Sequence, residues 1–205
     1  MKVAALYVDL SRGPYSQIDG VDCWGWASKD GRQKSLIHRD RDAQQYQGPA
    51  PVIAHPPCGP WGRFSWNYKG GEGSKACGLR AAEQERAFGG VLEHPANAKL
   101  WAAAGLPEPT DGRDLHGGFT VLVNQCDWGH PAVKPTWLYI VGARDLPKMP
   151  PPSAPTHVMV RLLRNNNELP ELCKADRHLT PPLFARWLVQ LARSIRRYRL
   201  PSRQR

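Results

Sequence analysis

No run of about eighteen apolar residues occurs anywhere in these 205 residues, which excludes a membrane-spanning helix. The opening Met1-Lys2-Val3-Ala4-Ala5-Leu6 meets Asp9 before an extended signal core can form, so the expected setting is the cytoplasm and no membrane partner is expected. Cysteine is sparse and poorly patterned. The five, Cys23, Cys58, Cys77, Cys126 and Cys173, are odd in number and form no C-x-x-C pair, which argues for reduced thiols rather than a disulfide framework. His55-x-x-Cys58 lacks a second close pair to complete a tetrahedral set, so no structural metal is expected. Also missing are an internal repeat and the G-x-G-x-x-G of a dinucleotide site. The length suits one well-cored domain and is short for two.

Positive charge is abundant. A net charge of +10 attracts polyanions, and nucleic acid is the usual one. Much of the excess lies in Arg193, Arg196, Arg197, Arg199, Arg203 and Arg205, which either track phosphates or form a solvated tail. Eight tryptophans on such a chain suit contact with bases as well as phosphates and favour the first alternative.

Short apolar runs supply the fold. Residues 3–10 (VAALYVDL) are apolar at almost every position, the pattern of a parallel strand buried on both faces. In a doubly wound fold the turn that follows, Ser11-Arg12-Gly13-Pro14-Tyr15, receives a cofactor, although a lone Gly13 equally fits an ordinary Gly-Pro turn. Val21-Asp22-Cys23-Trp24-Gly25-Trp26 is a second strand, and Asp40 and Asp42 after it either bind a cofactor or pair with Arg39 and Arg41. A third run, Val52-Ile53-Ala54, stops at His55-Pro56-Pro57-Cys58-Gly59-Pro60-Trp61-Gly62-Arg63. Two prolines hold the backbone ahead of the thiol, and Gly59 and Gly62 leave room for another molecule. Cys58 thus stands at the carboxyl edge of the sheet, as a reactive thiol or as a small hydrophobe in a Pro-rich turn.

Gly70-Gly71-Glu72-Gly73 is a closing segment or a linker, and Ser74 is read as the cap of a helix that runs to about Phe88 and is stopped by Gly89-Gly90. Val91-Leu92-Glu93 then places Glu93 at a second strand end, facing the same crevice as Cys58, where it becomes a candidate acid. Residues 119–123 and 137–142 form two adjacent strands, with Lys134-Pro135-Thr136 leading into the second, and predict an antiparallel hairpin at the sheet edge. Five prolines between Leu146 and Pro155 forbid regular structure. Thr180, Pro181 and Pro182 open a last helix with Phe184, Trp187, Leu188, Leu191 and Ile195 at helical spacing.

Three of these pieces together resemble the DNA cytosine 5-methyltransferases. Pro57-Cys58 after a strand is similar to that family's Pro-Cys nucleophile loop. Glu93 is similar to the Glu of its Glu-Asn-Val motif, although His94 and Pro95 follow here. Asp127-Trp128-Gly129-His130-Pro131-Ala132-Val133-Lys134-Pro135-Thr136-Trp137-Leu138-Tyr139 resembles the hairpin that carries Gln-x-Arg-x-Arg, with only Lys134 keeping a charge at those positions. The first-strand turn has Gly13 but not the family's Phe-x-Gly-x-Gly. The segment 143–179, where the family inserts a target-recognition domain, is short, so the resemblance is to a reduced enzyme of a size that suits a phage or mobile element. Amino-methyltransferases of DNA use a related Asn/Asp-Pro-Pro-aromatic loop, and Cys58 with Glu93 favours the cytosine reading.

The resemblance implies an α/β, Rossmann-like methyltransferase fold with a mostly parallel sheet, an antiparallel edge hairpin and helices on both faces. Residues 1–142 would be the catalytic core, 143–179 a Pro-rich reduced recognition segment, and 180–205 a C-terminal helix and basic tail packing on the core. It implies Cys58 as nucleophile at cytosine carbon 6, Glu93 at ring nitrogen 3 and Lys134 at the base oxygen. S-adenosylmethionine would be held by Asp9, Gly13, Tyr15, Asp42 and Pro56. DNA, as a flipped or single-stranded cytosine, would be held by Trp61, Arg63, Arg196, Arg197 and Arg199. Carbon 5 of cytosine is a poor nucleophile, and adding a thiolate at carbon 6 converts the ring to an enamine, which is why a Cys with a lowered pKa and a nearby acid are expected. The alternatives are a nucleic-acid-binding protein on a methyltransferase scaffold without catalysis, or another base-modifying enzyme acting on DNA or free nucleotides.

Overall fold

A computed structural model describes residues 1–10, 13–26, 41–62, 65–69, 72–160 and 169–195. Its strands are β1 (Val3–Leu6), β2 (Val21–Trp24), β3 (Val52–Ala54), β4 (Gly90–Pro95), β5 (Phe119–Asn124) and β6 (Pro135–Val141), and its helices α1 (Glu72–Phe88), α2 (Leu100–Ala104) and α3 (Pro182–Ser194). They form a mixed α/β fold around one six-stranded sheet in the order β2-β1-β3-β4-β6-β5. β1 pairs in parallel with β2 and β3, β3 pairs in parallel with β4, and β6 runs antiparallel to both β4 and β5.

The near-continuous apolar runs are explained by burial on both sheet faces. Val3, Ala5, Ile53, Val91, Leu138 and Ile140 point into one core layer with Phe184, Leu188 and Leu191 of α3. Their neighbours Ala4, Leu6, Val52, Ala54, Leu92, Trp137 and Tyr139 point into the other, with Cys77 and Ala81 of α1 and Leu100 and Trp101 of α2. Alternation along each strand splits one apolar run between two helical layers. Among the described residues, no helix is long and apolar enough to cross a membrane.

Several local expectations shift, but the antiparallel hairpin does lie at the sheet edge, with β5 outermost and β6 against β4. The cause is in the residues: β6 is buried at every position after Pro135, whereas β5 exposes Leu122 and only half-buries several others. β4 does not end at Glu93 but continues to Pro95, held by pairing Glu93 with Leu138 and Pro95 with Thr136. Ser74 is not a cap; α1 starts at Glu72 and Ser74 is buried in its first turn. The cap position of α3 is Pro181 rather than Thr180. The short α2 was not foreseen; Gly105, in the left-handed conformation at φ 59°, terminates it. Described residues of the segment 143–179 contain no α-helix, one 3-10 turn at Asp176–His178 and isolated bridges, Ala132 with His157 and Val158 with Glu171.

Candidate active site

The sheet register builds the site. β3 and β4 pair Ala54 with Leu92, so the next residue of each strand, His55 and Glu93, meet as neighbours across the carboxyl edge. The His55 amide extends the ladder by donating to the Leu6 carbonyl at 3.0 Å, which fixes the residue before the chain turns at Pro56 and Pro57. His55 Nδ1 lies 2.9 Å from Glu93 Oε2, and the two side chains are each about 12 % exposed. On its other side His55 Nε2 is 2.7 Å from the Tyr15 hydroxyl, which reaches in from the turn after β1. Gln125, at the end of β5, donates from Nε2 to Glu93 Oε1 at 2.7 Å and to Thr136 Oγ1 at 3.0 Å. Both Glu93 oxygens are thus occupied.

Cys58 and Lys134 complete the cluster. The Cys58 carbonyl accepts from the amides of Trp61 and Gly62, a tight turn that holds the thiol half-buried beside the β3 edge. The loop is packed so closely that a Cβ on Gly59 would collide with the Tyr68 ring. Lys134 precedes β6 and donates from Nζ to the Leu179 carbonyl at 3.0 Å, so the segment entering α3 closes one side of the crevice. The charges of Cys58, Glu93 and Lys134 act on one another.

Their protonation differs from the sequence expectation. Burial pushes the Cys58 thiol up, the Glu93 carboxylate adds to that push, and the Lys134 charge only partly opposes it. The resting group is a thiol, not the activated thiolate expected. Burial would also raise Glu93, but the His55 hydrogen bond and the charges of His55, Lys134 and His94 overcome it and bring the carboxyl down to about 2. Burial lowers Lys134, against the pull of Glu93 and Cys58. His94, fully buried against Trp101, is lowered to about 4 by burial, and neither ring nitrogen makes a well-formed hydrogen bond.

The structure therefore gathers Cys58, Glu93 and Lys134, and it corrects other assignments. Trp61 is 4 % exposed and packs in the core against Gly78, with no surface to stack on a base. Tyr15 is buried and bonded to His55 instead of lining an open cofactor site. Pro56 is buried, and one Asp42 oxygen caps the turn Ala43–Gln45 by accepting from Gln44 N at 3.0 Å. Asp9 is exposed at the end of the first strand region, and its carbonyl accepts from Gly13 N at 3.1 Å. A Cβ on Gly13 would stand 2.5 Å from that carbonyl, so the turn itself requires glycine. Arg63, Arg196, Arg197 and Arg199 lie outside the described residues.

Sequence reasoning missed His55, Gln125 and Trp66. His55 carried a readable signal, since it ends one parallel strand as Glu93 ends an apolar run in the next. Gln125 carried none, because its contact depends on where the hairpin docks. Trp66, 78 % exposed in the turn Ser65–Asn67, is the open indole on this loop, where Trp61 had been expected. No protein-family model matches the chain, and no curated protein matches its sequence.

Proposed function

We propose that the chain is a DNA-modifying enzyme of the cytosine 5-methyltransferase type on a Rossmann-like methyltransferase fold. The observation that carries this reading is the meeting of Cys58, Glu93 and Lys134 at the carboxyl edge of β3 and β4, within a chain of net charge +10. A thiol, a carboxyl and an ammonium group in one crevice are what addition to cytosine needs. Cys58 attacks carbon 6, the Glu93 side of the crevice meets ring nitrogen 3, and Lys134 meets the base oxygen. Carbon 6 is out of reach in a stacked duplex, so the base enters flipped or single-stranded.

S-adenosylmethionine is the donor this reading implies, and when bound it supplies an electrophilic methyl group. The described residues fit it incompletely: Tyr15 and Pro56 are buried, one Asp42 oxygen is taken by Gln44, and only Asp9 is exposed beside the Gly13 turn. The roles of Cys58, Glu93 and Lys134 do not depend on the donor's placement. The raised Cys58 thiol and this incomplete cradle favour a second reading, a nucleic-acid-binding protein that keeps the scaffold without the reaction.

Covalent trapping separates the two. Wild type with S-adenosylmethionine and 5-fluorocytosine DNA should give a denaturation-resistant protein–DNA adduct, and Cys58→Ser should give none while binding DNA equally well. An adduct that survives in Cys58→Ser would remove Cys58 as the nucleophile. Wild type that binds DNA but never traps it would select the binding protein.

A further inference from the structure

Glu93 does not stand alone at the crevice floor. Tyr15, His55, Glu93 and Gln125 form one unbroken hydrogen-bonded row from the buried Tyr15 after β1 to the hairpin. Glu93 already accepts on both oxygens, and its His55 hydrogen bond and the neighbouring positive charges hold the carboxyl down to about 2, so at neutral pH it is a carboxylate with no proton of its own to give. Addition at carbon 6 drives an electron pair onto ring nitrogen 3, which must be protonated. Gln125 has no transferable proton. Imidazole can take up and release one near neutrality.

We propose that His55 and Glu93 act as one unit and that this pair, not Glu93 alone, carries the proton delivered to ring nitrogen 3, with Tyr15 as the positioning residue that fixes the imidazole. The proposal deepens the cytosine reading and rests on it. In the step, Cys58 sulfur, its thiol proton already lost to water, forms the bond to carbon 6. The C5=C6 pair moves into the C4–C5 bond, and the C4=N3 pair moves onto N3. N3 takes a proton passed through the Glu93 carboxylate from Nδ1 of the protonated His55, so Glu93 ends as the carboxylate it began as and a neutral imidazole remains with its proton on Nε2. Before the step the geometry satisfies the charged ring, with Nδ1–H donated to Glu93 and Nε2–H to the Tyr15 hydroxyl oxygen, and after it Nε2 keeps its proton and its Tyr15 partner. The titratable groups facing the pair are Tyr15 after β1, Cys58 on the loop, His94 on β4 and Lys134 on the hairpin, with Cys23 on β2 acting on Tyr15 behind them.

The test is the pH dependence of adduct formation on 5-fluorocytosine DNA. The thiolate fraction grows about tenfold per pH unit below the thiol's pKa. In wild type this gain is offset once the pair loses its proton, so the rate should level off with rising pH. His55→Gln has no such proton to lose; its rate should be about 10²-fold lower at the wild-type plateau and should keep rising with pH. Tyr15→Phe keeps the ring and its proton and should keep the plateau. Glu93→Gln, which points a fixed N–H at nitrogen 3, should lose it, and serves if His55→Gln fails to fold. NMR of the His55 ring reads the pair without turnover: a slowly exchanging Nδ1–H bonded to Glu93 should be seen in wild type and be lost in Glu93→Gln. Absence of that proton signal in wild type, or an unchanged rate and plateau in His55→Gln, overturns the pair while the cytosine reading stands. Absence of adduct from wild type at every pH sinks the cytosine reading and the proton delivery with it.

Discussion

Glu85, buried on α1, and Glu93, partly buried on β4, are carboxyl groups whose surroundings drive them in opposite directions. Glu93 has a histidine, a lysine and an amide; Glu85, on α1, is 0 % exposed and neither oxygen has a hydrogen-bond partner. Burial alone raises Glu85 well above the ordinary value of 4.5. The folded state therefore binds more protons at Glu85 than the unfolded state does, and stability should fall as pH rises above about 4.5. Glu93 has the reverse sign: its contribution is present above 4.5 and is lost as pH falls toward about 2. Glu85→Gln should accordingly gain stability at pH 8 and not at pH 4, read as urea midpoints at the two pH values. At the loop, Gly59→Ala should drive a methyl group into the Tyr68 ring and cost about 1–3 kcal/mol, measured by thermal unfolding, with Tyr68→Ala relieving part of the loss. Cys58 was legible because a strand end and prolines announce an edge in the residue order, whereas Glu93 reaches the same place from within β4, which runs on to Pro95. Trp61 was not legible, since an indole beside glycines has the same letters whether it faces solvent or, as here, fills the space above Gly78.

At the scale of elements, the strands and both long helices were readable from apolar runs and stops, whereas lateral order was not. Continuous burial of β6 against the broken pattern of β5 distinguishes an interior strand from an edge, and residues 136–141 (TWLYIV) carried that signal unused. α3 is anchored by an aromatic group: Trp128 from the hairpin lies 5.0 Å from Phe184 and 5.2 Å from Trp187, ring centre to ring centre. Trp187 also donates from its indole to the Lys148 carbonyl at 3.2 Å, which ties the Pro-rich segment to the same helix. Trp128→Ala should lower stability by about 3–5 kcal/mol, seen in chemical denaturation, because the indole is buried and its neighbours cannot close the gap. Loss near the surface value of a few tenths would mean that α3 docks without it.

For the whole molecule, charge and sheet assembly set the expectations. With a net charge of +10, affinity for DNA should fall steeply with salt, and deleting residues 196–205 should flatten the slope of log affinity against log salt by removing phosphate contacts. An unchanged slope would place those contacts on the core. The short segment 143–179 leads us to expect modified cytosines in a short or relaxed context, to be read by sequencing DNA from cells expressing the protein; a fixed motif of about five base pairs or more would refute it. The sheet order has a further consequence. β4 waits for β6, whose partner residues come 41 to 51 positions later in the paired register from Thr136 to Val141. Until that hairpin arrives, a growing chain presents β4 as a bare strand edge carrying Val91 and Leu92, the kind of surface that seeds aggregation. Yield in the cell should then depend on how quickly residues 96–141 are made, and chaperones that shield exposed strands would matter most during that interval.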